Sequence, residues 1–154
     1  VSVANAFFTP KMPDMKNAFL LLLSFSFSSI LVGQNEGDSP NYYIFSIYFG
    51  GGSYYIDSEQ TQELFDWIDG IEGAEDMEIS VHSHTDDIGS KAYNDWLSQM
   101  RSESAIMKLM EKGLRQEMMS IEDFGELNPV YDNSTWEGKL KNRRVDIILR
   151  PINF

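Results

Sequence analysis

The 154-residue chain contains no cysteine. Disulfide cross-links, thiolate metal sites, cysteine nucleophiles and a lipid anchor built on cysteine are therefore all excluded. Positive charge is scarce as well. Twelve Lys and Arg stand against 24 Asp and Glu, a formal net charge of −12. Such a chain lacks the basic footprint that displaces counterions from nucleic acid, and an anionic membrane surface repels it. An acidic ligand would have to be caught by a few well-placed cations. Histidine is nearly absent: His82 and His84 are the only two.

Long apolar runs are scarce as well. Residues 15–33 read MKNAFLLLLSFSFSSILVG, with Lys16 ahead of fifteen uncharged residues from Ala18 to Val32. A spanning helix needs about 20 apolar residues, whereas the apolar stretch of a secretory signal needs about 7–15. Residues 1–33 are accordingly read as an N-terminal extension plus signal peptide, starting naturally at Met15 and cut after Gly33. Residues 34–42, QNEGDSPNY, are polar with Gly and Pro and read as a linker. The expected folded domain is 43–150, in a chain whose 42% apolar content is enough for a core.

Within that domain, Ile44–Phe49 is β-branched and aromatic and runs into Gly50-Gly51-Gly52, a strand followed by a turn. Asp57 or Ser58 can N-cap a helix, with Gln60 placed to complete a capping box. Leu64, Phe65, Ile68 and Ile71 recur at helical spacing, and Gly70 and Gly73 end that helix. Met77, Ile79 and Val81 alternate with Glu78, Ser80 and His82 as a two-faced strand. Ser90 caps a longer helix that stops at Gly113, with Tyr93, Leu97, Met100, Ala105 and Leu109 as its apolar positions. Met119–Phe124 is a third strand. GELNPVYDNSTWEGKLK is a polar loop, and Arg143–Leu149 is the last strand. The order β-α-β-α-β-β predicts an α/β (α+β) two-layer sandwich, helices packed on a mixed sheet.

VHSHTDDIG, residues 81–89, concentrates polar chemistry. His82 and His84 sit at i and i+2 on a strand and point to one face. A hydrolytic zinc site needs three or more protein ligands, so a metal-dependent hydrolase is disfavoured and no metal or cofactor is assigned. No nucleophile–base pair is visible, and the chain is not read as an enzyme.

Three blocks occur together: HTDDIGSKAYNDWLSQMR (84–101), KLMEKG (108–113) and GELNPVYDNSTWEGKLKNRRVDI (125–147). With HTD-x-x-G, N-x-x-LS-x-x-R and NRRV in this order, the chain resembles the C-terminal peptidoglycan-binding domain of the OmpA family. Peptidoglycan-associated lipoproteins and flagellar stator subunits share that domain. The resemblance covers about 43–150. It implies non-catalytic binding of the diaminopimelate side arm of the peptidoglycan stem peptide, which carries an ammonium beside a carboxylate. By residue, it implies that Asp86 accepts from the ammonium and Arg101 holds the carboxylate in a planar fork. Asn94 matches a family contact position. Thr85 can add a hydrogen bond. Arg143, sharing strand parity with Val145 and Ile147, should reach the site while Arg144 points away. Ser83, Lys139 and Ser102 depart from the family's usual Gly, Arg and Ala.

Each residue also has a plainer role open to it. Asp86 can cap its turn. Arg101 can be an exposed helix cation beside Glu103 or Asp95. Arg143 can pair with a carboxylate such as Glu126. Trp96 and the methionines of the second helix read as packing, and His84 as a local hydrogen-bonding group. Asp86 and Arg101 are also separated by about three helical turns, ~13–16 Å along the helix if straight. Either the loop folds back or the ligand spans part of the gap. With no cysteine after the signal, no acidic residue in Ala18–Val32 and no barrel strands ahead of the domain, the expectation is an exported, stand-alone module. It would lie in the periplasm, associated with the cell wall or outer membrane. Its partners would be peptidoglycan and possible outer-membrane or envelope proteins, with no nucleic acid. The alternative is an envelope scaffold that makes protein–protein contacts instead.

Overall fold

The computed structural model describes residues 42–152. The signal segment expected over 1–33, and all of the expected linker except Tyr42, lie outside the described residues. Along the chain come β1 (Tyr43–Tyr48), α1 (Ser58–Asp69), β2 (Glu78–His84), α2 (Lys91–Glu111), β3 (Met119–Gly125), α3 (Trp136–Asn142) and β4 (Arg144–Arg150), with single 3-10 turns at Ala74–Asp76 and Gln116–Met118. The sheet order is β1-β4-β2-β3. β4 runs antiparallel to both β1 and β2, while β2 and β3 are parallel and joined through α2, as a parallel pair needs a long crossover.

The expected two-layer architecture is present, with one helix more than the sequence suggested. Within the stretch read as a polar loop, Thr135 caps α3 by accepting from the Gly138 backbone N–H. Gly138 inside a seven-residue helix lowers its intrinsic propensity, which is why the periodicity there is faint. α1 begins as expected. Asp57 accepts from Gln60 N and the Gln60 side chain returns to Asp57 N, a full capping box. Strand ends shift by a residue or two from the sequence boundaries.

Strand alternation divides the sheet. Ile47, Ile79, Val81, Val145, Ile147 and Leu149 face the helices and meet Leu64 and Ile68 of α1 and Ala105, Ile106 and Leu109 of α2. The buried stripe of α2 is Asn94, Leu97, Ser98, Arg101, Ser102, Ala105, Ile106 and Leu109, spaced at the three-and-four interval of a helix. Its second half is apolar. Most of its first half is polar, because that end covers the site described next. Tyr93, Met107 and Met110 lie outside this stripe and are exposed, as is Trp96. The reading of Trp96 and the α2 methionines as packing is therefore corrected for Trp96, Met107 and Met110.

Candidate binding site

The site forms where β1 and β2 leave the sheet. A register shift between Ser83 and His84 sets His84 opposite Gly125. Irregularities of this kind re-aim side chains at strand ends. Thr85 N then donates to Gly125 O at 2.7 Å, which holds the chain against the end of β3 for one more residue. Asp86 Oδ1 accepts from Ile88 N at 3.3 Å and closes a turn, Gly89 takes φ 120°, and Ser90 caps α2 by accepting from Tyr93 N. The loop folds back over the start of α2: Asn94 Nδ2 donates to Asp86 O at 3.3 Å. Farther along α2, Arg101 Nη1 donates to His84 O at 3.0 Å. Folding back removes the separation that the linear spacing implied.

Arg101 is fully buried, and each of its nitrogens donates to a backbone carbonyl: Nε to Ser53 O at 2.9 Å, Nη1 to His84 O, and Nη2 to Gly50 O at 3.2 Å. Its guanidinium lies 4.8 Å from the centre of the Phe49 ring. Burial pulls its pKa down to about 10, with Arg143 adding to the fall and Asp86 opposing it. It stays cationic at neutral pH. Arg101 is thus a buried strut between the glycine-rich loop after β1 and the end of β2. It is not an exposed helix cation: Glu103 accepts from Gln99 and Asp95 from Lys91.

Arg143 lies at the junction of α3 and β4 and donates through Nε to Asp86 Oδ2 at 2.6 Å, with both side chains less than a tenth exposed. Its partner is Asp86, not Glu126, which instead accepts from Asn94 Nδ2 at 2.7 Å. The Arg143 guanidinium sits 5.1 Å from the ring centre of Trp136. Its two Nη groups make no hydrogen bond among the described residues. Thr85 Oγ1 and Asn94 Oδ1 are buried with no partner among them either. Native proteins leave few such groups unpaired, and these two lie beside the Asp86–Arg143 pair. All five residues singled out in the sequence, Thr85, Asp86, Asn94, Arg101 and Arg143, come together at this one end of the sheet.

Sequence reasoning missed several neighbours. The Gly50 and Ser53 carbonyls that hold Arg101 leave no side-chain signature. Trp136 went unnoticed with α3, although Trp136 and Leu140 at i and i+4 were a signal. Lys139, in place of the family's usual Arg, pairs with Asp87 across the loop. Ser102, in place of Ala, donates to Asp123 Oδ1 at 2.5 Å. Ser83 is buried, and its Oγ has no partner among the described residues.

The helix-free face carries a second polar cluster. His82 and His84 share this face as expected, and both meet Phe124; His84 stacks on it at 4.9 Å. Arg144 also points there, donating through Nε to Asp146 Oδ2 at 3.0 Å, and Asp146 accepts from Ser46 Oγ at 2.6 Å. The His84 backbone carbonyl holds Arg101, but its ring nitrogen Nδ1 finds no partner among the described residues, so the expected local bond by that side chain is absent at Nδ1. Burial, reinforced by Arg144, drops the His84 pKa to about 4.

The domain thus packs helices on a mixed sheet, with the buried Asp86–Arg143 pair and the buried Arg101 at its strand ends. The OmpA family model matches residues 48–143, and the chain belongs to that family. It is 32% identical over 122 residues to outer membrane protein A of Bordetella avium, covering 75% of this chain and 63% of that protein. It is 31% identical over 81 residues to the peptidoglycan-binding protein ArfA of Mycobacterium tuberculosis, covering 53% of this chain and 25% of that one. The chain thus spans less than two thirds of the length of these curated relatives. Among solved structures it is similar to the peptidoglycan-associated lipoprotein of Burkholderia pseudomallei, with TM-score 0.62, 25% identity, and coverage of 68% of this chain and 89% of that one.

Proposed function

We propose that this domain is a non-catalytic peptidoglycan-binding module that anchors its chain in the cell envelope, on the periplasmic side of the outer membrane. The observation that carries this reading is the Asp86–Arg143 pair at 2.6 Å, beside the buried Arg101. It is a fixed anion next to fixed cations, in a pocket with spare polar atoms. The family relationship supports it, since relatives carry peptidoglycan in their names.

In its finer form, the ligand is the diaminopimelate residue of the stem peptide. Its free end is a zwitterion, and a site of matched fixed charges recognises it by direction, whatever the net charge of the protein. Asp86 accepts from the ammonium. Arg143, whose Nη groups have no protein partner among the described residues, offers the accessible donors for the carboxylate. Arg101, occupied by three carbonyls, fixes the loops and supplies positive potential from beneath. Asn94 Oδ1 and Thr85 Oγ1 add hydrogen bonds. Residues 43–150 form the binding unit, carried to the envelope by the signal over 1–33.

Co-sedimentation with purified sacculi tests both levels. The chain is expected to pellet with diaminopimelate-type sacculi, and Asp86→Asn to stay in solution while retaining its circular dichroism. Equal pelleting with sacculi that carry lysine at the same stem position would keep wall binding and remove the diaminopimelate assignment. No pelleting with either sacculus would overturn the reading.

A further inference from the structure

Three exposed aromatic rings adjoin the pocket and take no part in the core. Tyr54, Tyr93 and Trp96 are 43%, 42% and 46% exposed. They form one patch: Tyr54 meets Trp96 edge-on at 6.0 Å, and Tyr93 meets Trp96 at 5.7 Å. The patch draws on two separate elements, the loop after β1 and the first turns of α2. Both are set by the pocket's own residues. Arg101 Nε donates to Ser53 O, directly before Tyr54. Tyr93 lies between the two loops of the site. A Cβ at Gly52 would fall 3.1 Å from its hydroxyl, and one at Gly89 3.1 Å from its Cδ1. Both glycines have positive φ, so backbone and ring positions there are specified together.

We propose that Tyr54, Tyr93 and Trp96 form a second subsite that stacks a sugar ring of the glycan strand whose stem peptide enters the Asp86 pocket. This rests on the peptidoglycan reading above and extends it from peptide to glycan. The axial C–H faces of a pyranose are apolar and its rim is hydroxylated. Exposed Tyr and Trp, with an apolar body and a polar tip, suit such a surface. Diaminopimelate sits about three residues along the stem, ~10 Å of extended chain from the sugar. From Gly89 in the Asp86 loop, which Tyr93 adjoins, the patch extends to Trp96 and Tyr54 in ring-to-ring steps of 5.7 and 6.0 Å. The glycan is a polymer, and the patch does not stop at one ring. Tyr54 also borders an open groove of about 720 Å³ between α1 and α2, lined by Tyr55, Phe65 and Met107.

Titration calorimetry on the full chain with two probes is the test: a diaminopimelate-containing tripeptide, and the same tripeptide on its disaccharide. The disaccharide-tripeptide is expected to bind about three- to tenfold tighter, the size of one aromatic stacking contact. Trp96→Ala and Tyr54→Ala should each remove most of that advantage and leave tripeptide affinity unchanged. Both side chains are exposed, and circular dichroism should confirm unaltered folding. Equal affinity of wild type for the two probes overturns the glycan subsite and leaves the peptide site standing, as does an advantage that survives in both variants. Failure of wild type to bind either probe overturns the peptidoglycan reading and the subsite together.

Discussion

Two consecutive arginines, Arg143 and Arg144, enter opposite sides of one sheet and meet superficially similar surroundings. Each pairs through Nε with an aspartate, at 2.6 Å and 3.0 Å. Each lies over an aromatic ring, Trp136 for Arg143 and Tyr131 for Arg144. The difference is in connectivity. Arg144 and Asp146 are two apart on one strand, and Asp146 is also held by Ser46 of the neighbouring strand. That pair stays within the sheet, although Arg144 Nη1 is buried with no partner among the described residues. Arg143 instead reaches 57 positions back to a loop aspartate, and the polar atoms around it are incompletely used. Burial and charge alone therefore do not tell the proposed binding pair from the structural one. What separates them is reach: Arg143 ties a distant loop to the sheet, whereas Arg144 ties its own strand to itself.

The largest effect should come from the buried strut, Arg101. Arg101→Leu strands the carbonyls of Gly50, Ser53 and His84, and it should lower unfolding free energy by about 3–5 kcal/mol in urea titration. Next are the two pairs themselves. Arg143→Leu leaves the buried Asp86 carboxylate without its ion pair and should destabilise by about 2–4 kcal/mol, whereas Arg144→Leu, which leaves the partly exposed Asp146 still held by Ser46, should cost less. Under conditions where both variants stay folded, sacculus binding should vanish for Arg143→Leu and persist for Arg144→Leu. Equal loss in both would erase the contrast.

A pH titration of stability probes the structural side. The folded His84 pKa lies near 4, below the ordinary value of 6.5. Between those values the unfolded chain binds the proton and the folded one does not, so stability falls as pH drops through that window. Its contribution is fully present above about 6.5 and lost by about 4. His84→Gln should flatten this slope in denaturant titrations across pH 7 to 4. The smallest stability change should come from Thr85→Val. Because Thr85 Oγ1 has no partner among the described residues, stability should stay within about 0.5 kcal/mol, while wall binding falls several-fold. A Thr85→Val chain that binds as wild type would show that the hydroxyl is not aimed at ligand.

Much of this was legible in the sequence. Asp86 and Gly89, Asn94 and Arg101, and Arg143 with Arg144 sit in motifs whose order and spacing brought out the family and named residues that gather at one end of the sheet. The capping box at Asp57 and Gln60 and the strand parity of Arg143 were readable from local rules alone. What escaped was of two kinds. Backbone acceptors from residues 50, 53 and 84 decide that Arg101 is buried, and no residue type announces a carbonyl's position. The buried stripe of α2 is polar near the site, so a search for apolar periodicity picked Tyr93 and Met100 and passed over Asn94, Ser98 and Ser102. Glu126 was offered to Arg143 because charges attract in the abstract. In the fold, Asn94 stands closer to it.

Strand direction has a mechanical consequence. β1 and β2 both run antiparallel to β4, so they point the same way. Tyr43 therefore lies at one end of the sheet, and Phe49, Gly50 and Asp86 at the other. A tug between a ligand held at Asp86 and the chain leading into Tyr43 runs along the strand axes. It loads the six register pairs of β1 with β4 together in shear, where peeling would break them one by one. Under the proposed anchoring role, a pull against a stiff wall thereby loads the domain in its stronger direction.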